Sequence, residues 1–394
     1  MLKRQRNLAS YALRCLHRYR TRTFVVIIAV TITVAAFSSV AFIKDGLTRD
    51  AELSLRFAPD ITVQYMQSGR QSLIPLSYVR SISALEGIDR VVPRVWGYVG
   101  TGKNVLIIMG IDLRNMTTSN ADTFAIGEGA FLTATTRGSI VLGNVAALAL
   151  SVKVGDTVTF LSETMRPVQF QVVGIFDSTA NVYAADLILM NIDDARNYFG
   201  IPQDKASDLC VYVKNPRQVN KIANELSYLP SLRVLSKDII GRSYESIYGS
   251  RSGFFTATWQ ILLLAMALIA LNQFTVVGSE SMFEVGVLKA LGFSTSNIIS
   301  IRLIESSIIG VFSASLGMTL GVVYDSVFDA PGLKEYMLGW AQLYPSFRIP
   351  VYISPSSVFL IFAVTLIPLL FSTVVPSWKN AIVDPDIAMR GAKA

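Results

Sequence analysis

The chain has 394 residues, 52% hydrophobic and only 16% charged, where an ordinary soluble domain carries about a quarter charged residues. That balance excludes a wholly soluble protein. The formal charge of +7 does not mark a nucleic-acid binder: residues 1–22 hold seven Lys/Arg and no acid, whereas residues 44–253 hold 21 basic and 20 acidic residues and offer no footprint for a phosphate backbone.

Residues 1–22 repeat Leu8, Ala12, Cys15/Leu16 and Tyr19 on one helical face and Arg14, Arg18 and Arg22 on another. This pattern predicts a basic amphipathic helix lying on the inner leaflet. The first span is predicted over 23–43, since Phe24 to Ile43 carries no charge and twenty residues at 1.5 Å rise cover about 30 Å of hydrocarbon. A cleaved signal peptide is disfavoured despite Ser39-Val40-Ala41, because its apolar region is normally about 7 to 15 residues. The basic leader sets the N-terminus in the cytoplasm by the positive-inside rule. By alternation 44–253 and 324–357 are external, while 278–297 and the tail 376–394 are cytoplasmic.

In the external block, Ile61–Met66, a helix from Ser77 (as cap) to Leu85, and Val91–Val95 form one βαβ pattern. Leu209–Val213, a helix from Pro216 to Tyr228, and Leu232–Leu235 form a second. An α+β layer is expected from 44–96 and 208–250, with a β-rich insertion over 97–207. Gly97 to Asn104 nearly matches the phosphate loop GxxxxGK[ST], but Asn104 replaces the magnesium-binding hydroxyl and a strand follows; a glycine-rich hairpin is the better reading. The single histidine, His17, lies in the leader, so no Ser/His/Asp or Cys/His arrangement can form in the block. Asp193-Asp194 reads as helix-start acids. Cys15 and Cys210 fall on opposite sides of the membrane, which rules out a disulfide framework. No catalytic, metal or cofactor site is expected.

Three further spans are predicted: 254–277, with Asn272 and Gln273 near its end; 298–323; and 358–375, containing Pro368. In the third span Ser306, Gly310, Ala314 and Ser313, Gly317, Gly321 follow the small-xxx-small spacing that lets backbones approach in lipid. Arg302 and Glu305, three residues apart on one face, read as a helix-end ion pair. Between the second and third spans, Phe283, Val287, Ala290 and Leu291 share a face and Gly292 supplies a stop, predicting a short amphipathic cytoplasmic helix. The architecture expected is therefore a membrane α-helical protein with four transmembrane helices, one N-terminal and three C-terminal, and a large α+β extracytoplasmic domain inserted after the first.

Glu284-Val-Gly-Val-Leu-Lys-Ala-Leu-Gly292 resembles the E-[IV]-G-[IV]-L-[KR]-A-[LM]-G signature of the FtsX/MacB-type permeases of ABC transporters. The leader from Tyr11 through Thr23, Glu305 with Gly310, Gly317 and Gly321, and the segment from Pro376 through Asp384-Pro385 and Ala388-Met389-Arg390 are similar to the same family. So are Gly138–Gly143, Val154–Val158 and Val172–Gly174 in the insertion; Trp378-Lys379-Asn380 departs from the usual basic-alanine run. The resemblance implies an inner-membrane, multi-pass permease that pairs with a second copy or paralogue and with a cytoplasmic ABC ATPase dimer, which alone uses ATP. Glu284, Val287, Leu288, Lys289, Ala290, Leu291 and Gly292 would form the ATPase-coupling helix. The function implied is mechanotransmission: ATP-driven motion of the spans reaches the extracytoplasmic domain and drives export or extraction of a hydrophobic or lipidated cargo, with an external adaptor or lipoprotein as a further partner. The alternative is a signalling permease that activates an extracytoplasmic cell-wall hydrolase without transport.

Overall fold

The computed structural model describes residues 2–102, 104–113, 124–133, 135, 137–163, 165–178, 186–248, 253–334 and 349–382. They gather into two compact units, one from segments within 1–46, 250–331 and 351–394, the other from segments within 47–249 and 332–350. The closing segment from Asp384 lies outside the described residues, as do Lys103 and residues 335–348 of the predicted external loop.

The chain opens with α1 (Leu2–Arg18), which turns Leu8, Ala12, Cys15 and Leu16 inward and leaves Leu13, Arg14, His17 and Arg18 exposed. After Tyr19 comes α2 (Arg20–Phe57), a 38-residue helix that continues well past the predicted span end at Ile43. Nothing in 44–57 breaks it, since Gly46 costs only about 1 kcal/mol and the polar residues there tolerate helix.

The second unit is built on an 11-stranded sheet. Its elements begin with β1 (Ile61–Gln67), β2 (Arg70–Ser72), β3 (Ile74–Pro75), α3 (Ser77–Ser83), β4 (Ile88–Thr101), β5 (Asn104–Ile111) and β6 (Phe124–Gly129). They continue with β7 (Ser139–Gly143), α4 (Asn144–Leu150), β8 (Thr157–Leu161), β9 (Pro167–Ser178), β10 (Leu187–Asn191) and α5 (Ile192–Phe199). The last are β11 (Lys205–Ala206), β12 (Asp208–Val213), α6 (Val219–Ser227), β13 (Leu232–Ser236) and α7 (Lys237–Tyr248). The order β13-β1-β12-β4 interleaves the two expected βαβ patterns: β1 runs antiparallel between β12 and β13, and β12 antiparallel between β1 and β4. Each pattern is thus a split unit whose gap the other fills. Ser77 is the first helical residue rather than the cap; Leu76 occupies the cap position and has no side-chain capping bond.

The insertion is not a separate sheet. The first half of β4 pairs with β12 through Arg94, and its second half pairs with β5 from Val95 onward, so one 14-residue strand joins both parts. Beyond it the order is β5-β10-β7-β9-β6, with β10 parallel to β5 and β7 parallel to β9. Strands β7 and β10 are buried throughout, as parallel strands covered on both faces must be. At the edge, β8 alternates exposed and buried residues, the period of a half-buried strand.

Gly97 to Asn104 forms a hairpin in which Thr101 pairs with Asn104. Gly97 and Gly110 admit α5: a Cβ on Gly97 would lie 2.7 Å from the Phe199 ring and one on Gly110 2.6 Å from the Ala195 methyl. Asn191 caps α5 by accepting from the Asp193 amide at 3.1 Å. The paired acids hold the chain before β7, where Arg137 reaches Asp193 and the Gly138 amide donates to Asp194 at 2.9 Å.

The remaining helices are α8 (Gly253–Ala290), α9 (Thr295–Ser326) and α10 (Pro355–Ile382). Among the described residues, α2, α8, α9 and α10 are the four helices long and apolar enough to cross a membrane. Their shared core holds Val30, Val34 and Phe37 of α2, Met266 of α8, and Ile361 and Leu369 of α10. The predicted short helix between the second and third spans is instead the end of α8, which has no break from Gly253 to Ala290. Gly278 alone is too weak a breaker to interrupt it.

Candidate coupling site

The end of α8 is fixed by local chemistry. Gly292 adopts φ +88°, a conformation glycine enters without steric cost. Two closing bonds follow from that geometry, one from the Gly292 amide to the Lys289 carbonyl at 2.9 Å and one from the Phe293 amide to the Leu288 carbonyl at 3.0 Å. Together they form a Schellman motif, which satisfies carbonyls the helix end would leave open. Ser294 then caps α9 by accepting from the Asn297 amide. The elbow between the helices is therefore short and doubly capped.

Apolar packing holds this elbow from within. Val285, Leu288 and Ile298 form a buried cluster against Phe293, and the Tyr11 ring of α1 lies 6.4 Å from the Phe293 ring. Gly286 is buried and Lys289 half-buried, while Val287, Ala290, Leu291 and Gly292 are exposed. Leu291 is 71% exposed, unusual for a leucine flanked by an ordered turn. Leu288 therefore belongs to the chain's own core, and the outward surface is Val287, Ala290 and Leu291. Glu284 is helical, and its side chain lies outside the described residues.

The glycines of α9 lie at helix crossings within this chain. A Cβ on Gly317 would meet Val34 Cβ at 2.7 Å and the Thr31 carbonyl at 2.8 Å; one on Gly321 would meet the Ala35 carbonyl at 2.9 Å and collide with Ser38. Gly310 faces α10, where its Cβ would lie 2.6 Å from Leu366. Dispersion between closely approaching backbones is the main attraction available to helices in lipid. Ser39 adds a hydrogen bond to the buried carboxylate of Asp325.

Arg302 donates to Glu305 at 2.9 Å, and both are largely buried. They line a small cavity with Arg22, Gln273 and the Ser306–Thr373 hydroxyl pair, in which Ser306 donates to Thr373 at 2.9 Å. The sequence pattern identified Arg302 and Glu305 but did not connect them with Arg22 or Thr373. The available signal was depth: each lies near the same end of its span.

The MacB-like periplasmic core domain family matches residues 23–229, more than half the chain, and the FtsX-like permease C-terminal family matches residues 256–385. The chain belongs to the FtsX/MacB family of ABC-transporter permeases. An uncharacterized ABC transporter permease of Methanocaldococcus jannaschii is 25% identical over 82% of this chain and 85% of its own length. The lipoprotein-releasing system transmembrane protein LolC of Xylella fastidiosa is 24% identical, and that of Neisseria meningitidis 25%; each match covers 64% of this chain and 64% of the relative. The chain thus spans a little under two thirds of the LolC proteins it matches.

This permease is a protein of the inner membrane, with its mixed α+β region inserted after the first span. Its family is a non-catalytic transporter class, and among the described residues no cluster of three His, Cys, Asp or Glu could hold a metal. An ATPase and a paralogous permease are the partners typical of such proteins.

Proposed function

We propose that this permease is a mechanotransmitter: a separate cytoplasmic ATPase docks on the end of α8, and its ATP-driven motion is passed through the spans to the extracytoplasmic domain. In this reading the leader, the α8–α9 elbow and the tail are cytoplasmic, and a second permease completes the assembly. The observation that carries the proposal is the exposed apolar face of Val287, Ala290 and Leu291 on an end made rigid by the Schellman turn and the buried Val285–Leu288–Ile298 cluster. An apolar patch on an ordered, capped helix end is suited to a protein partner. Continuous helices support the transmission step, because neither α2 nor α8 has a break at which a push along its axis would dissipate.

The proposed work is export or extraction of a hydrophobic or lipidated cargo, and the LolC relatives, named for lipoprotein release, support that class. The sizeable insertion between β4 and β12 is a suitable platform for cargo or for an adaptor. Ala290→Arg and Leu291→Asp test the docking face. Each is expected to lower ATPase co-purification at least tenfold, about 1.4 kcal/mol, with the membrane-inserted protein still folded. Parental levels of ATPase in both variants would refute the coupling assignment. Activation of an external hydrolase without transport is separated from export by following cargo release in reconstituted vesicles.

A further inference from the structure

Among the described residues, α8 is the span this chain covers least: 17% of its apolar stretch is buried, against 28% to 56% in the other three. Its outward face runs through Ala257, Gln260, Leu264, Ala267 and Leu271, all exposed. Their spacing of three and four residues makes a single seam along the helix, on which Leu264 and Leu271 are 62% and 61% exposed. Apolar exposure in a span is satisfied by lipid. The outward face of α10, with Phe359, Ile367 and Phe371, has that character.

Gln260 breaks it on α8. Five residues from the middle of the span Phe255–Thr275, it lies about 7.5 Å from the span's centre at 1.5 Å rise, well inside a hydrocarbon layer about 15 Å deep on each side. No described residue exchanges a hydrogen bond with its carboxamide. A donor and acceptor left open among acyl chains is costly, because hydrocarbon offers no partner; a neighbouring helix does. Ala257 and Ala267, on either side of Gln260 along the seam, let another backbone come close.

Symmetry selects the partner. Copies of one membrane protein insert with the same orientation, so a two-fold axis relating two of them stands along the membrane normal and sets each residue near its own counterpart at equal depth. A carboxamide both donates and accepts, which makes it complementary to itself.

We propose that the seam of α8 from Ala257 to Leu271 is the interface with a second copy of this chain, with the two Gln260 carboxamides hydrogen-bonded across the axis. The inference rests on the reading above in which a second permease completes the assembly, and it names that permease and the surface that meets it. Because α8 runs unbroken from Gly253 to Ala290, pairing along the seam also holds the two docking faces at the ends of the helices at a set separation.

The test uses the full-length chain in the Cys15→Ser background, expressed without an ATPase and kept in its membranes. Leu264→Cys and Leu271→Cys are each expected to give a disulfide-linked dimer on mild oxidation, whereas Phe371→Cys on α10 is not. Linking of all three alike reports random collision and overturns the seam, as does linking of none. Gln260→Leu, on a face outside the chain's own core, is expected to weaken self-association of the purified chain in detergent at least tenfold, and Gln260→Asn, which keeps the carboxamide, much less. Parental association in Gln260→Leu would overturn the pairing. A link formed only on co-expression with a different permease would assign the seam to a paralogue and overturn the second copy. ATPase capture through Val287, Ala290 and Leu291 is measured apart from these: a chain that dimerises without binding ATPase counts against docking alone, and one that binds ATPase without linking through α8 counts against this interface alone.

Discussion

Asp208 is fully buried and accepts three hydrogen bonds: from Arg94 Nε at 2.9 Å, from Arg94 Nη2 at 2.7 Å and from Trp96 Nε1 at 2.8 Å. This network sits where β4 leaves β12 for β5, and Ser207 reinforces it by exchanging hydrogen bonds with the Trp96 backbone. Removing one partner of such a pair strands the other charge, which typically costs about 3–5 kcal/mol. Asp208→Ala should therefore lower the thermal midpoint of the sheet-bearing unit by about 6 to 20 degrees, as read by near-UV circular dichroism. Two residues away, burial pushes the Cys210 thiol up to about 12. Such a thiol has almost no nucleophilic thiolate at neutral pH, so in a Cys15→Ser background maleimide should label the chain only after denaturation. Burial also raises the Asp186 carboxyl to about 6. The folded state then holds this proton more tightly than the unfolded chain does, so its contribution is fully present below about pH 4. That contribution is lost as pH rises through about 6, at a cost of about 3 kcal/mol. Asp186→Asn should flatten this part of the stability-against-pH curve.

At the scale of elements, the small residues of α9 set the distance between helices. Gly317 and Gly321 are in contact with α2 and Gly310 with α10, so added bulk acts first on this chain's own bundle. Gly317→Leu should separate the first and third spans and increase protease sensitivity of the membrane-inserted chain, whereas Leu316→Ala, at an exposed neighbour, should not. Equal protease resistance in both variants would mean that the crossing tolerates the side chain. The helix ends follow the same logic of local satisfaction. Gly292 was legible as a stop because αL geometry is nearly reserved for glycine. The overrun of α2 past Ile43 and of α8 past Val277 was not, because a change from apolar to polar residues marks a membrane boundary and not a helix end.

For the whole molecule, the proposed topology follows from the concentration of basic residues in the leader. A cysteine at Thr159, which is exposed on β8, should react with a membrane-impermeant thiol reagent added outside the cell; one at Ser296, exposed in the first turn of α9, should not. The reverse pattern would invert the orientation and remove the docking face of α8 from the ATPase's compartment. Both tests belong in the Cys15→Ser background, where Cys210 is masked by burial.

Sequence alone determined the number of spans, their division into one and three, the mixed α+β character of the inserted region and the turn at Gly292. These depend on length, hydrophobic period and backbone conformation, all local properties of the chain. Tertiary structure decided what depends on residues distant in sequence. It interleaved the two βαβ units, because strand order is set by hydrogen bonds between segments far apart along the chain, such as Ile61 with Ser236. It merged the insertion into one sheet through the length of β4, and it turned Leu288 into the core while leaving Leu291 outside. It also gathered Arg22, Gln273, Arg302, Glu305 and Thr373 around one cavity, because antiparallel packing of spans brings equal depths together whatever the separation along the chain.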